Sequence, residues 1–160
     1  MNTMADFNNC PVCNKKLNNH FYSFDRHVEV AQYSQDTGDT AHTVLRSEPI
    51  AECCSSECAW SSIFSGLAER GIKLTGGGVG PIEVCAKCGG PVDMSEPHVS
   101  YVYHDQTFEE QPWLSSITVH YAEGLADICV RCDGDVAADE LNLPEPVEDG
   151  VISTEFESVA

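Results

Sequence analysis

Eight cysteines arranged as four close pairs constrain the fold of this chain more than any other feature. The pairs are Cys10–Cys13, Cys54–Cys58, Cys85–Cys88 and Cys129–Cys132, and a ninth cysteine, Cys53, directly precedes the second pair. A chain of 160 residues fits one ordinary domain or two small ones. Small domains commonly need metal ions or disulfides to supplement a limited hydrophobic core.

The redox compartment decides which kind of cross-link the cysteines form. Residues 1–9 are polar and lack the basic start and apolar centre of a secretory signal. No apolar run approaches the roughly 20 residues that span a bilayer. We therefore expect a cytoplasmic protein with no membrane-spanning segment, in which thiols stay reduced. In that setting, paired cysteines indicate metal ligands or redox centres instead of structural disulfides.

The order of the pairs predicts two structural zinc sites. Such a site needs four tetrahedral ligands, and two close cysteine pairs can supply them. The first zinc ion is predicted to bind Cys10, Cys13, Cys54 and Cys58, and the second to bind Cys85, Cys88, Cys129 and Cys132. Because four cysteines fill each coordination shell, we predict no catalytic residue, no cofactor besides two zinc ions, and no enzymatic activity.

The residues leave three alternatives to this assignment open. Cys53 could replace Cys54 as a ligand, although the Cys-Ser-x-x-Cys pattern favours Cys54. A redox dithiol is disfavoured because neither Cys10 nor Cys85 follows an apolar strand, as a thioredoxin-like motif would require. Iron–sulfur clusters also use four cysteines, but the widely split pairs fit zinc better.

The spacing of the cysteines suggests an internal duplication. Cys10, Cys13 and Cys54 are each followed by another cysteine 75 positions later. The segments His27-Val-Glu-Val and His98-Val-Ser-Tyr are instead offset by 71 positions, so the two halves align only with gaps. We predict strands over residues 20–33, 40–46, 97–104 and 113–121, with a connecting loop over residues 105–112.

A helix is predicted directly after Cys58. Trp60, Ile63, Phe64 and Leu67 recur at helical spacing within residues 59–70, Ser55 is a candidate N-cap, and Gly71 is a stop signal. The predicted fold is a small zinc-stabilised α+β structure with two tandem knuckle–hairpin–knuckle units. The predicted units are residues 1–73 and 84–138, joined by a glycine-rich linker over residues 74–83 and followed by an acidic disordered tail over residues 139–160.

The segment from Cys10 to about Arg70 resembles treble-clef zinc fingers. The likeness is greatest to TRASH and MYM-type fingers, in which Cys-Ser-x-x-Cys leads into an aromatic-bearing helix. The resemblance implies a knuckle, a hairpin and a ligand-bearing helix, and members of this broad class bind proteins, nucleic acids or metals. The second half resembles a zinc ribbon or a truncated treble clef with a short final helix.

The charge of the chain narrows its expected partners. The formal net charge is -18, from 26 acidic and 8 basic side chains. Such a field repels phosphates, so direct nucleic-acid binding is disfavoured. We predict a protein-interaction module whose partner has a basic surface, as an inhibitor, immunity protein or adaptor. The alternatives are a transcription- or nucleic-acid-associated zinc ribbon and a redox or metal-handling protein.

We interpret the histidines and the large aromatic residues as packing residues instead of functional ones. Six histidines lie mostly on predicted strands, and we expect them to serve surface or cross-strand packing: His20, His27, His42, His98, His104 and His120. Four aromatic residues could anchor a partner, but such residues more often fill a core, which is what we expect of most of them. They are Trp60, Phe64, Trp113 and Tyr121.

Overall fold

The computed structural model describes residues 9–133, which form a small, mostly β structure with one α-helix. The strands are β1 (His20–Tyr33), β2 (Thr40–Cys53), β3 (Ile82–Val84), β4 (Pro91–Asp93), β5 (His98–Gln111) and β6 (Leu114–Ile128), and helix α1 spans Ser56–Glu69. A short 3₁₀ turn covers Val130–Cys132. The predicted acidic tail at residues 139–160 lies outside the described residues.

The two long hairpins lie side by side in one antiparallel sheet. Its strand order is β2-β1-β5-β6, so the first strand of each hairpin is central and the second strand is at an edge. Strands β1 and β5 pair from His20 opposite Thr107 to Glu29 opposite His98. The separate β3-β4 sheet is small, with three residues in each strand. Residues that are distant in sequence therefore meet on the faces of a single sheet.

The pairing of the central strands relates the hairpins by an approximate two-fold axis. Val28 lies directly opposite Val99, and these two valines occupy equivalent positions when the halves are aligned with the offset of 71. The β-bulges of the outer strands follow the other offset, since β2 skips Leu45 and Ile50 in its pairing and β6 skips His120 and Leu125. These positions differ by 75, as the cysteines do. The duplication of a complete knuckle–hairpin–knuckle unit stays a prediction.

Helix α1 covers one face of the sheet and forms the main core with it. Ser55 caps the helix, as predicted, by accepting a hydrogen bond from the Cys58 backbone N–H at 3.1 Å. The helix buries Ile63 and Leu67, while the sheet contributes the fully buried Phe24 and Val28. Gly66 permits the close approach, since a Cβ atom there would lie 2.7 Å from the Phe24 ring.

The predicted loop over residues 105–112 is wrong. Strand β5 continues to Gln111, and a two-residue turn at Pro112 and Trp113 leads into β6. Cross-strand pairing explains the difference, because β6 supplies a partner for each residue of β5 as far as Gln111 opposite Leu114. Tertiary pairing of this kind outweighs local sequence preferences.

The glycine-rich segment between the two halves is hydrogen-bonded to the sheet. Gly76 and Gly77 donate backbone N–H bonds to the carbonyl groups of Leu125 and Gly124 in β6, at 2.8 and 3.0 Å. Gly78 donates to the Asp127 carboxylate at 3.0 Å. Among residues 9–133, no helix is long and apolar enough to cross a membrane.

Candidate metal centres

The first cysteine tetrad is assembled from a knuckle before β1 and the junction between β2 and α1. The Sγ atoms of Cys10, Cys13, Cys54 and Cys58 all lie within 4.8 Å of one another. The Cys10 backbone N–H bonds to the Lys15 carbonyl at 2.7 Å, and its carbonyl accepts a bond from the Asn14 N–H at 2.8 Å. Asn14 has a φ of 65°, the left-handed conformation that lets the chain turn back here.

The second tetrad repeats this knuckle with different residues. Cys85, Cys88, Cys129 and Cys132 also have Sγ atoms within 4.8 Å of one another. The Cys85 backbone N–H bonds to the Gly90 carbonyl at 2.7 Å, and the Cys85 carbonyl accepts from the Gly89 N–H at 2.9 Å. Gly89 has a φ of 79° and occupies the position of Asn14. The two knuckles therefore share one backbone hydrogen-bond pattern.

The sulfur separations fit a tetrahedral metal ion. Metal–sulfur distances of about 2.3 Å place the sulfur atoms of a tetrahedral site about 3.8 Å apart. In the second tetrad, Cys85 and Cys132 are separated by 3.8 Å and Cys88 and Cys129 by 3.7 Å. Cys13 and Cys54 are 3.3 Å apart. All nine cysteines are free thiols, and these separations are far longer than the S–S bond of about 2.05 Å.

Backbone hydrogen bonds favour the thiolate form of one cysteine in each tetrad. Burial alone would raise the pKa of Cys85, but N–H groups of Cys129, Cys88 and Lys87 outweigh it and lower that pKa to about 6. The pKa of Cys10 is also lowered to about 6, because backbone donors again outweigh burial. A thiolate is the form that binds metal, so each knuckle already stabilises one ligand in the required charge state.

The structure brings Cys54, and not Cys53, into the first tetrad. Cys53 is the last residue of β2 and is fully buried, with its sulfur 3.8 Å from the Ser62 hydroxyl. Burial is the main cause that raises the pKa of the Cys53 thiol, to about 12. Adjacent residues of a strand point to opposite faces, so only one of these two cysteines can reach the metal site.

A second cluster of chemically active side chains lies on the sheet face away from α1. Alternate residues of β1 place Ser23, Asp25, His27 and Glu29 on this face, where they are all buried. Strands β2, β5 and β6 add further polar groups around a cleft of about 840 Å³, which the glycine segment also lines. Strand alternation could have identified the shared face, but burial by a distant glycine segment has no sequence signal.

Glu29 carries a negative charge at the centre of this cluster. His27, His42 and His98 lie 3.7, 3.2 and 3.6 Å from its carboxylate oxygens. Burial alone would raise the pKa of Glu29, but these imidazoles outweigh burial and hold the pKa well below its usual range. Ser100 contributes a hydroxyl that donates to Glu29 at 3.0 Å. Of the predicted roles, cross-strand packing fits His27, whose ring lies 5.5 Å from that of His104, and both His27 and His98 are buried in this network.

The predicted aromatic anchors divide between core and surface. Trp60 packs against the core, with its ring 5.4 Å from that of Tyr103. Phe64, Trp113 and Tyr121 are instead 59%, 80% and 53% exposed. The expectation that these aromatic residues fill mostly core positions is wrong for three of the four. The reasons differ: Trp113 lies at the turn beyond the last residue of β5 that pairs with β1, Phe64 lies on α1 outside its buried positions, and Tyr121 lies on the edge strand β6.

Comparison with known proteins adds no family to these observations. No protein-family model, no curated protein and no solved structure matches this chain. The residues themselves identify two groups of four cysteines, each of which can hold a metal ion in the manner of zinc-finger motifs.

Proposed function

We propose that this protein is a non-enzymatic interaction module stabilised by two zinc ions. All-cysteine coordination leaves no open position for a substrate, which favours a structural role for both metals. Zinc binding of this kind contributes about 10 kcal/mol or more to folding per site. Zinc is favoured over iron because the cysteine pairs are widely separated in the chain, as in zinc fingers.

A protruding hairpin arm carries the interaction proposal. We define the arm as residues 108–117, which lie beyond Thr107, the last residue of β5 that pairs with β1. Apart from a backbone hydrogen bond from Phe108 to the Asn19 carbonyl, β5 beyond that point pairs only with β6, as far as Gln111 opposite Leu114. Trp113, Leu114 and Ile117 are 80%, 58% and 55% exposed there. Two-stranded hairpins are marginally stable in water, so an arm with exposed apolar side chains is best explained by a partner that covers them.

Charge favours a basic protein as that partner. Glu109 and Glu110 lie on the arm, which contains no lysine or arginine. The complete chain carries a net charge of -18, which would steer a basic surface towards it and make the encounter sensitive to salt. The same field opposes the nucleic-acid-associated alternative, since phosphates would be repelled.

Affinity capture from the native host tests this proposal. The zinc-loaded full chain serves as bait at low and high salt, beside the arm variants Trp113→Ser and Ile117→Ser. Because both side chains are largely exposed, each variant should keep two zinc ions and unfold within about 0.5 kcal/mol of the wild type. We expect a basic protein to be retained by the wild type at low salt and lost with either arm variant.

The matched control is Ile82→Ser, which removes an apolar side chain that is 57% exposed on β3, away from the arm. This variant should retain the partner. Capture of nucleic acid alone would contradict the proposal, and so would a partner that binds the arm variants as tightly as the wild type.

A further inference from the structure

The sheet cleft contains a third group of potential metal ligands, separate from both cysteine tetrads. Asp25, His27 and His104 each offer a ligand atom, and these atoms all lie within 4.8 Å of one another. Asp25 and His27 are 7% and 9% exposed, and the His104 side chain is 14% exposed. Both histidines line the cleft, so an ion held there would face its open volume.

The central strands of the sheet fix the positions of these three groups. Asp25 and His27 are two residues apart on β1 and therefore point to the same face. His104 lies on the neighbouring β5, opposite Ser23, which places it diagonally across from Asp25. Sites built on paired strands hold their side chains more precisely than sites on loops.

A second layer of hydrogen bonds orients the candidate ligands. The Ser23 hydroxyl donates to the Asp25 carboxylate at 2.8 Å, and it accepts a bond from the Gln106 side-chain amide at 2.8 Å. The Glu29 carboxylate lies 3.7 Å from the His27 Nδ1, close to the ring but beyond hydrogen-bond distance. A carboxylate behind a histidine is the usual arrangement around a histidine-bound metal, because it fixes the ring orientation and increases ligand basicity.

We infer that Asp25, His27 and His104 bind one divalent transition-metal ion of the zinc, iron or cobalt type. Two imidazoles and one carboxylate suit ions of this class, in contrast to the all-thiolate tetrads. Three protein ligands leave at least one coordination position free, which would open towards the cleft. The inference does not depend on the proposed interaction function.

Metal binding at this site requires the loss of one hydrogen bond. His104 Nδ1 and Asp25 Oδ2 are 2.6 Å apart, which is the separation of a hydrogen bond. Ligands of one ion at about 2.1 Å from the metal lie about 3.4 Å apart. The ion would therefore replace this hydrogen bond and separate the two atoms by about 0.8 Å, while the neutral imidazole keeps its proton on Nε2.

Cobalt binding to the zinc-loaded full chain tests the inference. Co²⁺ is added to protein that holds zinc in both tetrads, and bound metals are counted by elemental analysis. We expect one equivalent of Co²⁺ beyond the two zinc ions, with weak ligand-field bands and no thiolate-to-cobalt charge-transfer band. Asp25→Asn and His104→Gln should bind this Co²⁺ at least tenfold more weakly.

Two further variants keep the test decisive if a ligand variant does not fold. Ser23→Ala removes a supporting hydroxyl and should weaken Co²⁺ binding by about 10–100-fold. The matched control is His120→Gln, since His120 is exposed on β6 and hydrogen-bonds to Thr107, which is not a candidate ligand; it should bind Co²⁺ like the wild type. The inference would be overturned if the wild type bound no Co²⁺ beyond its two zinc ions, or if all these chains bound Co²⁺ with equal affinity.

Discussion

At the residue scale, single side chains set the geometry of the metal knuckles. Asn14 and Gly89 occupy the same position after their first cysteine, and both have positive φ angles, at 65° and 79°. Glycine and asparagine adopt this conformation more readily than other residues. The turn returns the backbone so that its N–H groups point at the cysteine sulfur atoms. The lowered pKa values of Cys10 and Cys85 result in large part from those backbone donors.

Substitution of adjacent cysteines should separate ligand from packing roles. Cys54→Ser should lower the bound metal from two equivalents to one, because it removes a sulfur atom from the first tetrad. Cys53→Ala should keep both ions and lower the free energy of unfolding by only about 1 kcal/mol, the typical cost of a small buried truncation. Elemental analysis and chemical denaturation measure the two effects. Retention of both metals by Cys54→Ser, together with loss of one by Cys53→Ala, would reverse the assignment.

At the element scale, the close contact between the glycine segment and β6 closes one side of the cleft. A Cβ atom on Gly77 would lie 2.9 Å from the Gly124 Cα atom, and the reverse contact is equally short. Backbone therefore packs against backbone, which side chains at either position would prevent. The many glycines of residues 74–81 indicated a linker, but the structure uses two of them for packing.

We expect Gly77→Ala to destabilise the fold. The added methyl group must displace backbone atoms of β6, which should lower the free energy of unfolding by about 1–3 kcal/mol. Chemical denaturation measures this, with Thr75→Ala as a control because Thr75 is exposed in the same segment. An unfolding free energy of Gly77→Ala equal to that of the control would show that the segment does not pack as described.

At the scale of the whole molecule, the shared sheet couples the two metal sites. Strand β1 follows the first knuckle and β5 follows the second, and these strands pair along their length. If the hairpins were independent, loss of one metal would unfold only its own half. Pairing of β1 with β5 instead means that each half completes the sheet of the other.

This coupling predicts that damage to either tetrad spreads across the molecule. Cys13→Ser should reduce amide-hydrogen protection in β5 as well as β1, and Cys88→Ser should reduce protection in β1 as well as β5. Hydrogen exchange followed by mass spectrometry resolves these strands, with Cys53→Ala as the control that keeps both tetrads. Unchanged protection of β5 in Cys13→Ser would mean that the halves fold separately.

The sequence alone determined the features that depend on local spacing. Paired cysteines, the Ser55 cap and the helix after Cys58 could be predicted because knuckles, caps and helical periodicity involve residues within a few positions of one another. The sequence also shows polar residues alternating along β1, but it does not show that they would be buried together on one face of the sheet. Only the tertiary structure buried Asp25 and His27, joined them with His104 across two hairpins, and left the arm around Trp113 uncovered. Those outcomes depend on strand pairing over long sequence separations, and a single sequence contains no local signal for which strands will meet.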